Sequence, residues 1–404
     1  MQRSSRLDLF TIVVAYIGFI GIGLAATSSL LGVAWTQMHT EFGVRLDAVA
    51  YVLTSSTIGY LTASFYSGTL AYRVGIGRMM VVGSALLIAA LFIVSQTQSF
   101  WLMVAVMLFG GFGSGTIDAG LNGYMAQHHG ARAMNWLHAS FGVGVTIGPL
   151  IMTEILKAGL SWRVGYEIIG ACVVVLLVLL LLTISWWRVT VPAPGSAPVQ
   201  RASLWTILRM PVIWIGIMMF FVYAGLEATP GVWVYTLFTQ SRGIGAVAAG
   251  QWVSIYWASF TIGRIFFGAI ISRVNTLVLL RVCMIGVLIG ALLLWWNPLV
   301  WIGFAGLTLL GFAQAPLFPV LVSATPNRVG VANAANVIGF QVAGAGVGIA
   351  ALPALAGFLV QTVSPETLAP FIVVAGVLLI VLHELSVAQG VRIAQRAAAA
   401  PAGD

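Results

Sequence analysis

Twelve runs of about twenty or more apolar residues follow one another along this chain, and no other property narrows its fold so far. They cover residues 9–37, 47–71, 79–97, 100–126, 133–157, 164–187, 210–238, 246–272, 276–296, 298–322, 332–361 and 367–390. A helix needs about 20 such residues to cross the hydrocarbon core of a bilayer. The runs are continuously apolar, whereas the strands of a membrane barrel alternate over about 10 residues, so the expected fold class is an all-α membrane protein with twelve transmembrane helices.

Charge is scarce to match. Charged residues make up 7% of the 404-residue chain and hydrophobic ones 60%, against about 25% charged in a soluble domain. So few charges cannot cover a water-exposed surface, which excludes soluble enzymes, nucleic-acid-binding domains and secreted disulfide scaffolds. The net charge of +8 does not imply a nucleic-acid partner, because the basic residues are scattered singly rather than gathered in a stripe, and only Lys157 is a lysine. Cys172 and Cys283 both sit in apolar runs, so neither a disulfide nor a metal framework is expected. The first run is too long, and lacks the small-residue cleavage site, for a signal peptide. No Ser/His/Asp constellation, metal-ligand cluster or Gly-rich phosphate loop stands at mechanistic spacing. No enzymatic activity, cofactor or metal is therefore expected.

Arginines orient the spans. With both termini inside, thirteen basic residues fall on the cytoplasmic side, among them Arg73, Arg78, Arg132, Arg188 and Arg273. Only Arg45, Lys157, Arg163 and Arg242 fall outside, and Arg264 stays within the membrane. The expectation is a multi-pass protein of the inner or plasma membrane, both ends cytoplasmic, with the lipid bilayer as its solvent. Trp101, Trp162, Trp186, Trp187, Trp295 and Trp301 stand at span ends, as interfacial anchors do. Residues 190–209 are polar and proline-rich and divide six spans from six. The expected organisation is an N-terminal bundle (1–189), a cytoplasmic linker (190–209), a C-terminal bundle (210–391) and a cytoplasmic tail (392–404).

The halves repeat each other. Gly23-Leu24-Ala25-Ala26-Thr27 recurs as Gly225-Leu226-Glu227-Ala228-Thr229, Thr57-Ile58-Gly59 as Thr261-Ile262-Gly263, and Gly142-Val143-Gly144 with Pro149 as Gly346-Val347-Gly348 with Pro353. The offsets are 202, 204 and 204 residues, so a six-helix unit is duplicated. Two parallel six-helix halves joined by a linker resemble the major facilitator superfamily, whose substrates bind at mid-membrane between the halves. The loop Gly68-Thr69-Leu70-Ala71-Tyr72-Arg73-Val74-Gly75-Ile76-Gly77-Arg78 resembles that superfamily's G-x-L-A-D-R-x-G-R-K signature, with Tyr72 in place of the acid.

An ionisable residue inside a span costs about 2.5–3.5 kcal/mol on insertion scales, so the few present are the best functional pointers. Asp118 lies in a glycine-rich fourth span with Asn122 one turn on, as a structural carboxylate or a proton or cation site. Glu227 lies in the seventh span just before Pro230-Gly231, which are expected to break the helix there and, with Trp233, to form part of a gate and binding site. Arg264 must pair, and the candidates are Glu227, Asp118 or an anionic substrate. Asn135, His138 and Gly142 share one stripe of the fifth span, where His138 has either a core role or a substrate or proton-relay role. Tyr256, Asn336 and Gln341 complete the candidate substrate set; amides with aromatics suit a neutral polyhydroxylated ligand, which offers hydroxyls to the amides and a C–H face to the rings.

A narrower resemblance runs through these residues. Asp118-Ala119-Gly120-Leu121-Asn122, then Asn135-Trp136-Leu137-His138 with Phe141-Gly142-Val143-Gly144 and Pro149, is similar to the D-T-G-x-N … N-x-L-H-x-x-F-G-x-G-x-x-x-x-P run of the fucose:proton symporter family, which includes bacterial glucose/galactose carriers and animal sodium-dependent glucose transporters. The stretches Gly311–Pro319 and Asn336–Gln341 are similar to the same family's tenth and eleventh helices. The resemblance implies a monomeric secondary transporter of a sugar-like solute, working by alternating access and driven by a proton or sodium gradient. Asp118 would couple the ion, with Glu227 and His138, while Asn122, Asn135 and His138 line the sugar site. Fucose carriers place a second acid in the first helix; here Glu227 occupies the pseudo-symmetric place in the seventh. Two alternatives remain open. One is a proton-driven exporter of amphiphilic compounds, which needs an apolar, aromatic-rich cavity; the other is a non-transporting membrane sensor, which would carry no flux.

Overall fold

The computed structural model describes residues 5–129, 131–187, 209–329 and 331–399. The first half contains α1 (Ser5–Leu24), α2 (Thr27–Glu41), α3 (Val49–Val74), α4 (Ile76–Gln96), α5 (Phe100–His128), α6 (Ala131–Lys157) and α7 (Trp162–Leu182). The second contains α8 (Pro211–Thr236), α9 (Ala246–Ile270), α10 (Thr276–Trp296), α11 (Val300–Gln314), α12 (Leu317–Val329), α13 (Val331–Thr362) and α14 (Leu368–Ala399). Helix is the form a chain in lipid takes, because it satisfies every backbone donor and acceptor within the segment. Among the described residues, eleven helical stretches are long and apolar enough to cross a membrane. The run at 47–71 folds as α3, whose hydroxyl-rich sequence lowers its hydropathy but whose 26 residues, at about 1.5 Å each, also exceed a bilayer core of about 30 Å.

Among the described residues these fourteen helices make twelve crossings, because the first and tenth are each broken in two. The first break falls at Ala25–Ala26, where Ala26 is extended (φ −60°, ψ 121°), and the second between Gln314 and Leu317, at Pro316. The break expected at Pro230-Gly231 does not occur: α8 runs on through Pro230 to Thr236. Proline removes one N–H from the ladder and crowds the carbonyl four residues earlier, but neighbours packed around a buried segment can keep it helical. Every residue from Ala228 to Thr236 is buried, and Tyr256 Oη donates to the Glu227 carbonyl at 2.7 Å. The expected linker lies outside the described residues up to position 208. The last helix continues to Ala399, so the described part of the 392–404 segment is helical.

The repeated glycine motifs make the same crossing twice. A Cβ on Gly23 would run into the Phe141 carbonyl and one on Gly144 into the Ile20 carbonyl, so α1 and α6 touch backbone to backbone. Gly225 meets the Gly348 carbonyl, and Gly348 the Phe221 carbonyl, in the same way between α8 and α13. Small residues at these points let helices approach in lipid, where no hydrophobic effect draws them together.

The two halves also meet each other. Gly32 of α2 lies against the Gly231 carbonyl of α8, Thr153 of α6 against Gly250 of α9, and the Leu46 amide donates to Gln361 Oε1 at 3.0 Å. These contacts lie toward the end of the bundle opposite the termini. The four basic residues at that end all have acid partners there: Arg45 with Asp47 (2.9 Å), Arg163 with Glu41 (2.7 Å), Arg242 with Glu366 (2.9 Å) and Lys157 with Glu154 (3.1 Å).

Candidate substrate cavity and buried acids

On the side of this seam that carries the termini, a cavity of about 500 Å³ opens between the halves. The start of α6 closes it from the first half; α8, the end of α9, the α11–α12 break and α13 close it from the second. The break matters here. By interrupting the tenth crossing at Pro316, it turns Ser323 toward the cavity along with Phe318 and Pro319. Irregular backbone at membrane depth is tolerated where it lines such a space.

With Ser323, four larger polar groups converge on the cavity: His138 from α6, Tyr223 and Glu227 from α8, and Arg264 from α9. Tyr223 Oη donates to Glu227 Oε2 from one turn earlier on the same helix, a short hydrogen bond. Tyr256 from α9 holds the same residue by its backbone carbonyl. The Arg264 guanidinium lies 4.4 Å from the centre of the Phe260 ring, one turn back on α9. Such stacking on a ring face offsets part of a cation's desolvation. Among the described residues no acid lies within 4.0 Å of Arg264, and its Nε has no hydrogen-bond partner. Of the candidate partners Glu227, Asp118 and an anionic substrate, the two acids do not pair with it: Asp118 accepts from Tyr60 and Asn122, and Glu227 from Tyr223. His138 is open to the cavity and meets Phe19 edge to face, with ring centres 5.6 Å apart.

Asp118 belongs to a second constellation, between α3 and α5. Tyr60 Oη donates to its Oδ2 at 2.8 Å and Asn122 Nδ2 to its Oδ1 at 3.1 Å, and all three residues are half-buried. Asp118 and Asn122 are not among the side chains that line the cavity.

Three further candidate residues lie apart from the cavity wall. Trp233 is fully buried, its indole N–H donating to the Pro353 carbonyl at 2.7 Å. Gln341 is buried on the far face of α13, with Oε1 accepting from Thr325 Oγ1 at 2.9 Å. Tyr256 is buried behind Glu227. The side chains of Asn135 and Asn336 lie outside the described residues. Three contributors were not singled out from the sequence: Tyr60, Tyr223 and Ser323. Tyr223 carries a readable signal, since it stands four residues before Glu227 on one helix face. Tyr60 carries another, since at the 204-residue offset it takes the place of Arg264.

A sequence profile of the Major Facilitator Superfamily matches residues 17–306. The chain is 22% identical over 378 residues to sodium-dependent glucose transporter 1 of Homo sapiens, covering 84% of this chain and 72% of the relative. It is 22% identical over 331 residues to the glucose/mannose transporter GlcP of Bacillus subtilis, covering 78% of this chain and 79% of that one. The solved structure of the nucleoside transporter NupG superposes with a TM-score of 0.73 at 14% identity, over 95% of this chain and 99% of that chain.

Proposed function

This chain belongs to the major facilitator superfamily, and from that premise we propose that it is a secondary transporter moving a sugar-like polar solute across the inner membrane by alternating access, coupled to a proton or sodium gradient. The observation that carries the reading is the cavity between the halves, with Glu227, His138, Tyr223 and Arg264 at its wall and a tight seam beyond it. A seam closed on one side of a binding cavity is one of the two states that alternating access requires. The sugar relatives support the solute class. With both termini cytoplasmic, as the arginines direct, the cavity lies toward the cytoplasm. The transporter works as a monomer, each copy holding its own cavity.

Coupling falls to the acids. A bare carboxylate crossing the membrane interior as the halves rock is costly. Binding a proton or cation at Asp118 and Glu227 removes that charge, so the loaded carrier can reorient. Tyr60 and Tyr223 hold the two carboxyl groups in place while they are charged. Uptake into proteoliposomes under an imposed pH or sodium gradient tests this. Asp118→Asn and Glu227→Gln abolish gradient-driven accumulation but keep solute exchange across the membrane. Gradient-driven accumulation that survives both substitutions refutes the coupling role.

A second reading, export of amphiphilic compounds, is favoured by the apolar part of the wall: Met134, Phe267, Ile271, Phe318, Val322 and Ile349. It predicts that lipophilic dyes, and not sugars, compete for the cavity.

A further inference from the structure

We infer that the solute of this cavity is an organic anion whose carboxylate docks on Arg264. The inference rests on reading the cavity as the transport site, and it narrows what that site accepts.

Arg264 differs from the described cations that are held in ion pairs. Arg45, Lys157, Arg163, Arg242 and Arg281 all have an acid within 4.0 Å. Arg264, on the cavity wall, has none among the described residues, and its Nε has no partner. A guanidinium taken out of water is stable only if something compensates it, and stacking on Phe260 does so only in part. The duplication shows which acid is missing. In the first half Tyr60 of α3 touches Asp118 of α5 at 2.8 Å. At the 204-residue offset those positions are Arg264 and Val322, and both line the cavity. Where the fold brings an acid to its partner in one half, the other half brings an aliphatic side chain to an arginine. Glu227 does not close on Arg264: the two line the same cavity, but no oxygen of its carboxylate comes within 4.0 Å of the guanidinium.

The surroundings set the class of anion. One free cation compensates one negative charge, which fits a monocarboxylate and leaves a phosphate dianion with charge to spare. Nε and a terminal nitrogen form one two-pronged edge of the guanidinium, matched in spacing to the two oxygens of a carboxylate. Glu227 and His138 lie close enough to feel the charge of Arg264, and His138, Tyr223 and Ser323 supply groups for hydroxyls elsewhere on the solute. Combined with the sugar reading, this describes a sugar acid, a hexonate or hexuronate, in place of a neutral hexose.

Thermal-shift titration of the purified full-length protein, with matched pairs of ligands, tests this. The pairs are glucose with gluconate and galactose with galacturonate, and cyclohexanecarboxylate serves as an acid without hydroxyls. The expected result is stabilisation by the acid of each pair and none by its neutral partner. R264Q lowers the apparent affinity for the acid by about tenfold or more, and R264K restores part of it. V322D supplies the missing internal acid and abolishes anion binding without removing a charge from the cavity, so a fault in folding of R264Q does not decide the matter. Neutral sugars that bind as tightly as their acids, with R264Q unaffected, overturn the inference and leave the sugar reading standing. Arg264-dependent binding of cyclohexanecarboxylate alone upholds the anion and removes the sugar. A folded protein that none of the acids stabilises overturns the inference.

Discussion

Gly32 is the position at which the two-state description is most exposed to test. It lies on α2 where that helix crosses α8, and a Cβ there would overlap the Gly231 carbonyl oxygen and its carbon. The obstacle is backbone, so no side chain can swing aside, and Gly32→Ala must push two helices apart along the seam. Overpacking of this kind typically costs about 1–3 kcal/mol. In alternating access the seam parts in the other state, where the same methyl meets nothing, so the whole penalty falls on the conformer seen here. A differential of about 1–3 kcal/mol shifts a two-state equilibrium by about 5–150-fold. The assay is the rate at which a thiol reagent modifies a cysteine placed at Ser323 in the cavity, after the native Cys172 and Cys283 are replaced by serine. Gly32→Ala should slow that labelling from the terminus side by the population factor. Gly123→Ala, in α5 with open space around its Cβ, is the control and should leave the rate unchanged. Equal labelling rates in the Gly32→Ala and control proteins, both folded, would falsify the assignment of this seam as one that opens during transport.

Other consequences are simpler to read. Trp233→Phe removes the hydrogen bond to the Pro353 carbonyl and should lower stability by about 1 kcal/mol without changing solute KM, because the indole does not reach the cavity. Tyr60→Phe takes one of the two donors from Asp118 and should weaken gradient-driven uptake while leaving solute binding in the cavity unchanged. Glu366→Gln breaks the fork that holds Arg242, whose side chain is 7% exposed, and should lower the thermal-unfolding midpoint; because Glu366 is itself 44% exposed, the loss is about 1–2 kcal/mol rather than that of a fully buried pair.

Much of the fold was legible because lipid leaves a chain few choices. Length and apolarity alone located the crossings, and the glycine motifs matched at near-constant spacing turned out to be the crossings of α1 with α6 and α8 with α13. Local punctuation was the poorer guide. Pro230-Gly231 reads as a break and lies inside a continuous helix, whereas Ala25–Ala26, with no proline, is where the first crossing parts. Tertiary packing decides both, and a single sequence does not display it. The same holds for site residues. Depth along a span can be counted, which is why Glu227, His138 and Arg264 were found. The face a side chain presents cannot be counted in a helix apolar all round, so Trp233 and Gln341 read like cavity residues but are held in helix interfaces.

The duplication also explains why three charges in a membrane deserve separate accounts. Equivalent positions in the two halves share a backbone, and therefore a depth and a direction, so their differences isolate what changed after the halves diverged. Tyr60 faces Asp118, and Arg264 stands where Tyr60 would repeat; Val322 stands where Asp118 would; Glu227 stands where Ala25 lies in the first half. The acid of the first half is satisfied by its own neighbours and stays off the cavity wall. In the second half an acid stands at the wall on α8 and an arginine on α9, and the two do not come within 4.0 Å of each other. An unmade interaction is available to a ligand and a made one is not, which is why the proposed solute contact falls on the second half, where an acid and a cation do not close on each other.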